Sequence, residues 1–173
     1  MRIAAAFLVL FFSSVAVSAQ TKNPVSTAVR EIFPRQQKNL IAAAQAMPAD
    51  KYSFKPTAEQ ITFAHLILHI AESNNVLCAK ISDLPEPKAS EVKESDGKDA
   101  LVANLQASFD SCTSSLAKLD DSKLGDTVTL FGGREGPRAS LLFSLTNDWA
   151  DHYSAAAMYL RLNGVLPPTA KKK

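Results

Sequence analysis

His69, Asp148 and His152 are the residues whose types and spacing point to chemistry. Two imidazoles and one carboxylate suit an open metal site, because three protein ligands leave positions for water or another small molecule. The same donors suit zinc, iron, manganese or nickel, so they indicate a divalent metal without selecting one. Asp148 and His152 fall in the series Leu141, Leu145, Asp148, His152, Ala155, Tyr159 and Leu162, at alternating spacings of four and three. That is the seam a bundle helix turns toward its partners. A carboxylate on such a seam is costly to bury unless it is paired or binds a cation. His65 and His69 form a second pair one turn apart. At ~100° per residue, His69 lies at the edge of the Phe63–Leu66–Ile70 stripe and His65 well outside it. His69 is therefore the candidate to face the interior, and His65 reads as a surface or supporting histidine. Glu72 reads as a solvated charge. The same residues also admit a buried Asp148–His152 hydrogen-bonded pair with His69 packed beside it. No separate general base stands out, with Tyr153, Asp151 and His65 the neighbours to consider.

Four apolar periodic stretches must position these groups, which makes the fold class all-α and the architecture a four-helix bundle. The first runs from about Val25 to Met47 on Val29, Ile32, Gln36, Leu40 and Ala43, and Pro34 predicts a kink or a late start. The second spans about Ala58 to Ser82 on Phe63, Leu66, Ile70, Leu77 and Ile81. A surface linker rich in Pro, Lys, Glu and Ser follows, from Asp83 to Lys98. The third helix spans about Lys98 to Leu119 on Leu101, Leu105, Phe109, Cys112 and Leu116. Asp120 to Gly136 is a long loop with at most a short extended piece at Val128 to Phe131. The fourth helix starts near Arg138 and stops at Asn163-Gly164. No strand ladder is expected.

The first 19 residues read as a signal peptide. Arg2 gives a short positive region, Ile3 to Val17 is almost wholly apolar, and Val17-Ser18-Ala19 offers a small-x-small cleavage pattern before Gln20. That apolar run is shorter than the ~20 residues of a membrane span, so no stable membrane anchor is expected. Residues 20–173 have the size of one domain and can bury a core without outside support. Nineteen basic against seventeen acidic residues leave a net charge of +2, which gives no footprint for nucleic acid. Lys171-Lys172-Lys173 is an isolated basic tail. Cys78 and Cys112 are expected to be bridged, given export to the periplasm or beyond. A homodimer through exposed helix faces is left open, as is the small-molecule ligand.

The segment Thr62-Phe63-Ala64-His65-Leu66-Ile67-Leu68-His69-Ile70-Ala71-Glu72 and the run from His152-Tyr153-Ser154 through Leu162-Asn163-Gly164 to Pro167-Pro168 resemble the DinB-like superfamily. So does Met47-Pro48 followed by Tyr52-Ser53-Phe54-Lys55-Pro56. The resemblance covers roughly Val25 to Pro168. It implies an up-down-down-up helical bundle with a divalent metal held by one histidine of the second helix and two of the fourth, four residues apart. Those positions fall on His69, Asp148 and His152. Relatives include thiol-dependent transferases and isomerases, so the resemblance implies a metal-dependent hydrolase or transferase, or a non-catalytic binding bundle with a degenerate site. Two departures stand out. Asp148 replaces a usual histidine, and Tyr153-Ser154-Ala155 replaces a stretch that commonly carries glycine and glutamine. An oxidising compartment is also poor surroundings for a reduced thiol cofactor.

Overall fold

The computed structural model describes residues 22–170; the expected signal peptide and the Lys171–Lys173 tail lie outside the described residues. Four helices, α1 (Pro24–Ala46), α2 (Phe63–Ser82), α3 (Gly97–Ala117) and α4 (Arg138–Leu162), carry the fold. The all-α expectation holds, with one addition. The loop before α4 contains a small antiparallel hairpin, β1 (Thr127–Thr129) and β2 (Glu135–Pro137), paired through Val128 and Gly136. Among the described residues no helix is long and apolar enough to cross a membrane.

Local chemistry sets the helix ends. Pro24 occupies the first turn of α1, where a missing N–H costs nothing. The N–H groups of Val25 and Ser26 donate to the Asp121 carboxylate at 2.8 Å each, so a distant acid caps the helix. The helix runs through Pro34, and the late start is not observed. Pro34 is exposed, on the face of the helix where a missing backbone hydrogen bond is tolerated best. α2 begins at Phe63, later than its apolar pattern suggests, because Thr62 accepts the His65 N–H at 2.9 Å and fixes the start. α4 ends in a Schellman motif: Gly164 sits at φ 71°, with Gly164 N–H donating to Arg161 and Val165 N–H to Leu160.

Contacts between helices give their directions. Asn74 meets Ser108 and Cys78 meets Cys112, so α2 and α3 run parallel. Lys98 reaches the end of α1 while Arg30 reaches the end of α3, so α1 and α3 are antiparallel. Arg138 touches Lys80 and Tyr159 touches Ile61, so α2 and α4 are antiparallel. The result is the up-down-down-up order. The core holds Phe33, Phe109 and Trp149, with ring centroids 5.4–6.4 Å apart, surrounded by leucines from all four helices. The Cys78–Cys112 bridge is present and joins the parallel pair. Closing a loop of 34 residues, it stabilises the fold by about 3–4 kcal/mol in the chain-entropy account.

Three helix C-termini are capped by cations from other elements. Lys98 Nζ donates to the Gln45 and Met47 carbonyls at the end of α1, at 2.7 and 3.0 Å. Arg30 donates to Leu116 and Leu119 at the end of α3. Arg138 donates to Lys80 and Ile81 at the end of α2, and to Asp83 at 2.7 Å. These cations meet the partial negative charge of each helix end and satisfy carbonyls that have no partner within the helix. Arg138 is 4% exposed, so its loss strands several acceptors at once. Arg138→Met is expected to reduce unfolding free energy by about 2–4 kcal/mol in urea titration. The hydrogen bond from Arg138 holds the Asp83 carboxyl below its ordinary pKa. A lowered carboxylate pKa stabilises above the unfolded value, so this contribution is lost as pH falls through the folded pKa. The acid-side loss of stability is expected to be shallower in Asp83→Asn than in the parent.

Candidate metal centre

His69 lies on α2, and Asp148 and His152 lie one turn apart on the antiparallel α4. One donor atom from each lies within 4.8 Å of the others, on the scale of one cation's coordination shell. The two imidazole rings are tilted by 60° with centroids 5.0 Å apart. All three residues are partly buried, with the His152 side chain 14% and the Asp148 side chain 20% exposed.

The hydrogen bonds decide which atoms are free. His152 Nδ1 lies 2.7 Å from the main-chain carbonyl oxygen of Asp148. A carbonyl only accepts, so Nδ1 carries the hydrogen and Nε2 keeps its lone pair. A metal-binding histidine is commonly held this way, with its second nitrogen donating to a fixed acceptor. Asp148 Oδ2 lies 3.2 Å from the same Nδ1, at ion-pair distance but without hydrogen-bond geometry, and it is buried with no hydrogen-bond partner. A buried carboxylate oxygen with no donor favours a cation, which is the test this donor set passes. The Asp148 side-chain contact raises the His152 pKa above the ordinary imidazole value, against the opposing effect of burial.

The α4 seam differs from the expected one. Trp149, Ala156 and Leu160 are fully buried, Ala155 is half-buried, and Leu162 is 56% exposed. A strict seven-residue repeat drifts by about 20° per heptad around a straight helix, so the buried line moves from Leu145 to Trp149 rather than to Asp148. Asp148 and His152 consequently border the core, in reach of both solvent and His69.

His65 stays outside the cluster. Its Nδ1 lies 2.6 Å from Glu94 Oε1, while Thr62 Oγ1 donates to Glu94 Oε2 at 2.6 Å, so the imidazole ties the linker to the start of α2. Glu72 and Asp151 are exposed and do not join the cluster, and the Tyr153 hydroxyl donates to Thr169 Oγ1 at 2.8 Å. Two residues outside the expected set matter here: Trp149 Nε1 donates to Asn74 Oδ1 at 2.8 Å, and Asn74 Nδ2 donates to Ser108 Oγ at 3.0 Å. Asn74 carried a usable signal. It stands between Ile70 and Leu77 on the apolar stripe of α2, the same kind of anomaly that marks Asp148.

A family model described as the DinB superfamily matches residues 32–154, a span that contains all three cluster residues. Two DinB-like protein structures share the fold. One, from Bacillus subtilis, has a TM-score of 0.68 at 19% identity, over 84% of this chain and 99% of the other. One from Bacillus cereus has a TM-score of 0.68 at 14% identity, over 82% and 95%. A conserved protein from Enterococcus faecalis also aligns, with a TM-score of 0.61 at 16% identity, over 80% and 96%. No curated protein matches the chain.

The unpartnered Asp148 oxygen gives a test in the metal-free protein. With His152 neutral, Asp148→Asn is expected to be as stable as the parent or more so, by up to about 1–2 kcal/mol, because it removes a buried unpaired charge. Thermal and urea unfolding in chelator check this; a large destabilisation would mean that the carboxylate is structural.

Proposed function

The chain belongs to the DinB superfamily, and on that premise we propose that it is an exported protein that holds a divalent metal on His69, Asp148 and His152. The observation that carries the reading is Asp148 Oδ2, a buried carboxylate oxygen without a donor, beside two imidazoles. In such a donor set a divalent cation supplies Lewis acidity to a molecule taken up from solution. The chain's own part is positional. His152 presents Nε2 because Nδ1–H is committed to the Asp148 carbonyl. Asp148 contributes the negative charge that two neutral imidazoles lack, and His69 closes the set from the opposite helix.

Three protein ligands leave room for a substrate oxygen or for water, which favours a metal-dependent hydrolase or transferase over a closed structural site. A carboxylate in place of a third imidazole makes the donor set harder and suits zinc, iron or manganese. Export rests on the N-terminal sequence and agrees with the disulfide, since such bridges persist in oxidising compartments. His152 Nδ1 also lies 2.7 Å from the Asp148 carbonyl and 3.2 Å from its carboxylate, a direct pairing that supports a second reading in which the bundle binds a ligand or partner without catalysis.

Metal analysis of the purified chain separates the two. A single divalent ion per chain is expected, lost in Asp148→Ala and His152→Ala and kept in His65→Ala. A parent that stays metal-free after reloading, with unchanged melting, would establish the second reading. Mass spectrometry of protein recovered from the cell envelope is expected to show a mature chain beginning at Gln20; an intact N-terminus on soluble cytoplasmic protein would refute export.

A further inference from the structure

We propose that Asn74 is the positioning residue of the His69–Asp148–His152 cluster, acting through the indole of Trp149. Asn74 is fully buried in a core that is otherwise almost entirely apolar. Its amide is held on one side by Ser108, whose own hydroxyl donates to the Leu105 carbonyl at 2.7 Å. One turn further along, the Cys78–Cys112 bridge fixes the same two helices against each other. The orientation of the Asn74 carboxamide is therefore set by α2 and α3 before α4 is considered.

Trp149 then reads that orientation. Its Nε1–H donates to Asn74 Oδ1 at 2.8 Å, in a fully buried contact. Trp149 follows Asp148 in the chain and precedes His152 by less than one turn, so the bond that fixes the indole also fixes the rotation of both ligands. The geometry is consistent along the axis as well. Because α2 and α4 are antiparallel, the step back from Asn74 to His69 and the step forward from Trp149 to His152 run the same way along the bundle, and the two imidazole rings end 5.0 Å apart.

Apolar packing alone is a poor means of fixing this rotation, since it has no direction. A side-chain tip about 6 Å from a helix axis moves by roughly 2 Å when the helix turns by about 20°. Metal–ligand distances tolerate about 0.2 Å. A directional bond in a dry core, like a buried asparagine that sets register in a coiled coil, meets that demand.

The inference rests on the metal reading for its purpose, but its test has a readout that needs no metal. Three variants are compared with the parent: Trp149→Phe, which removes the donor together with part of the indole; the double change Asn74→Leu with Trp149→Phe, which replaces both partners by apolar groups; and Leu116→Ala, which opens a comparable space in the core away from this contact. Each is followed by melting temperature, by zinc or cobalt affinity, by the cobalt absorption spectrum, and by ring-to-ring nuclear Overhauser contacts between His69 and His152 without metal. The double variant is expected to melt below the parent by about as much as Leu116→Ala, because exchanging both partners of a buried hydrogen bond for apolar groups is nearly neutral while the smaller ring leaves a space in the core. Its metal affinity is expected to fall by about 10–100-fold, with an altered cobalt spectrum and lost ring contacts, as when groups supporting metal ligands are removed. Trp149→Phe is expected to move the same way by less, and Leu116→Ala to lower only the melting temperature. Unchanged affinity and unchanged ring contacts in both Trp149 variants would overturn the positioning role while leaving the metal reading intact. A parent that binds no metal, with ring contacts still lost in the double variant, would overturn the metal reading and keep the positioning role.

Discussion

The hydrogen bond from Trp149 to Asn74 is where the stability of the core and the geometry of the candidate site meet. Both groups are dry, so an unmade bond would leave an indole N–H and an amide oxygen without partners. That penalty is directional, whereas the packing of the leucines around it is not. His69 and the Asp148–His152 pair are carried by the same two helices, α2 and α4. The aromatic cluster of Phe33, Phe109 and Trp149 brings α1 and α3 to the same point. All four helices thus converge on the layer that supports the site.

The up-down-down-up order places α2 and α3 side by side with their dipoles aligned, which gives no electrostatic gain of its own. The chain answers with directional and covalent links: the Cys78–Cys112 bridge, the Asn74–Ser108 bond and cations at the helix ends. Arg30, Lys98 and Arg138 each serve the C-terminus of a helix other than their own, and Asp121 serves the start of α1. These exchanges tie the loops to the bundle ends and leave the middle of α2 and α4 as the place where polar groups face one another.

Placing a carboxylate at position 148 changes what that region asks of its surroundings. An imidazole there would be neutral and could share its hydrogen with a carbonyl. Asp148 instead brings a carboxylate whose buried Oδ2 has no hydrogen-bond partner, while its main-chain carbonyl orients His152. The same residue thus places an acceptor without a hydrogen-bond partner beside an imidazole that its own carbonyl orients, at the border of the core.

The four helices, their order and most of their buried faces were legible in the sequence, because burial follows a 3.6-residue period that apolar side chains record directly. The α3 stripe of Leu101, Leu105, Phe109, Cys112 and Leu116 is buried as its spacing requires. His69, Asp148 and His152 could be singled out because polar groups on or beside an apolar stripe need a reason to be there. The sequence did not show that the α4 seam runs through Trp149, since heptad drift accumulates only in a real helix packed on real neighbours. Nor did it show that Lys98, Arg30 and Arg138 cap helices distant in the chain, or that the loop before α4 forms a hairpin. Those features depend on which ends and edges are brought together. Composition and periodicity determined the elements and the cast of the site; the packing of α4 on α2, with the buried Trp149–Asn74 hydrogen bond among its contacts, decided that the three residues meet.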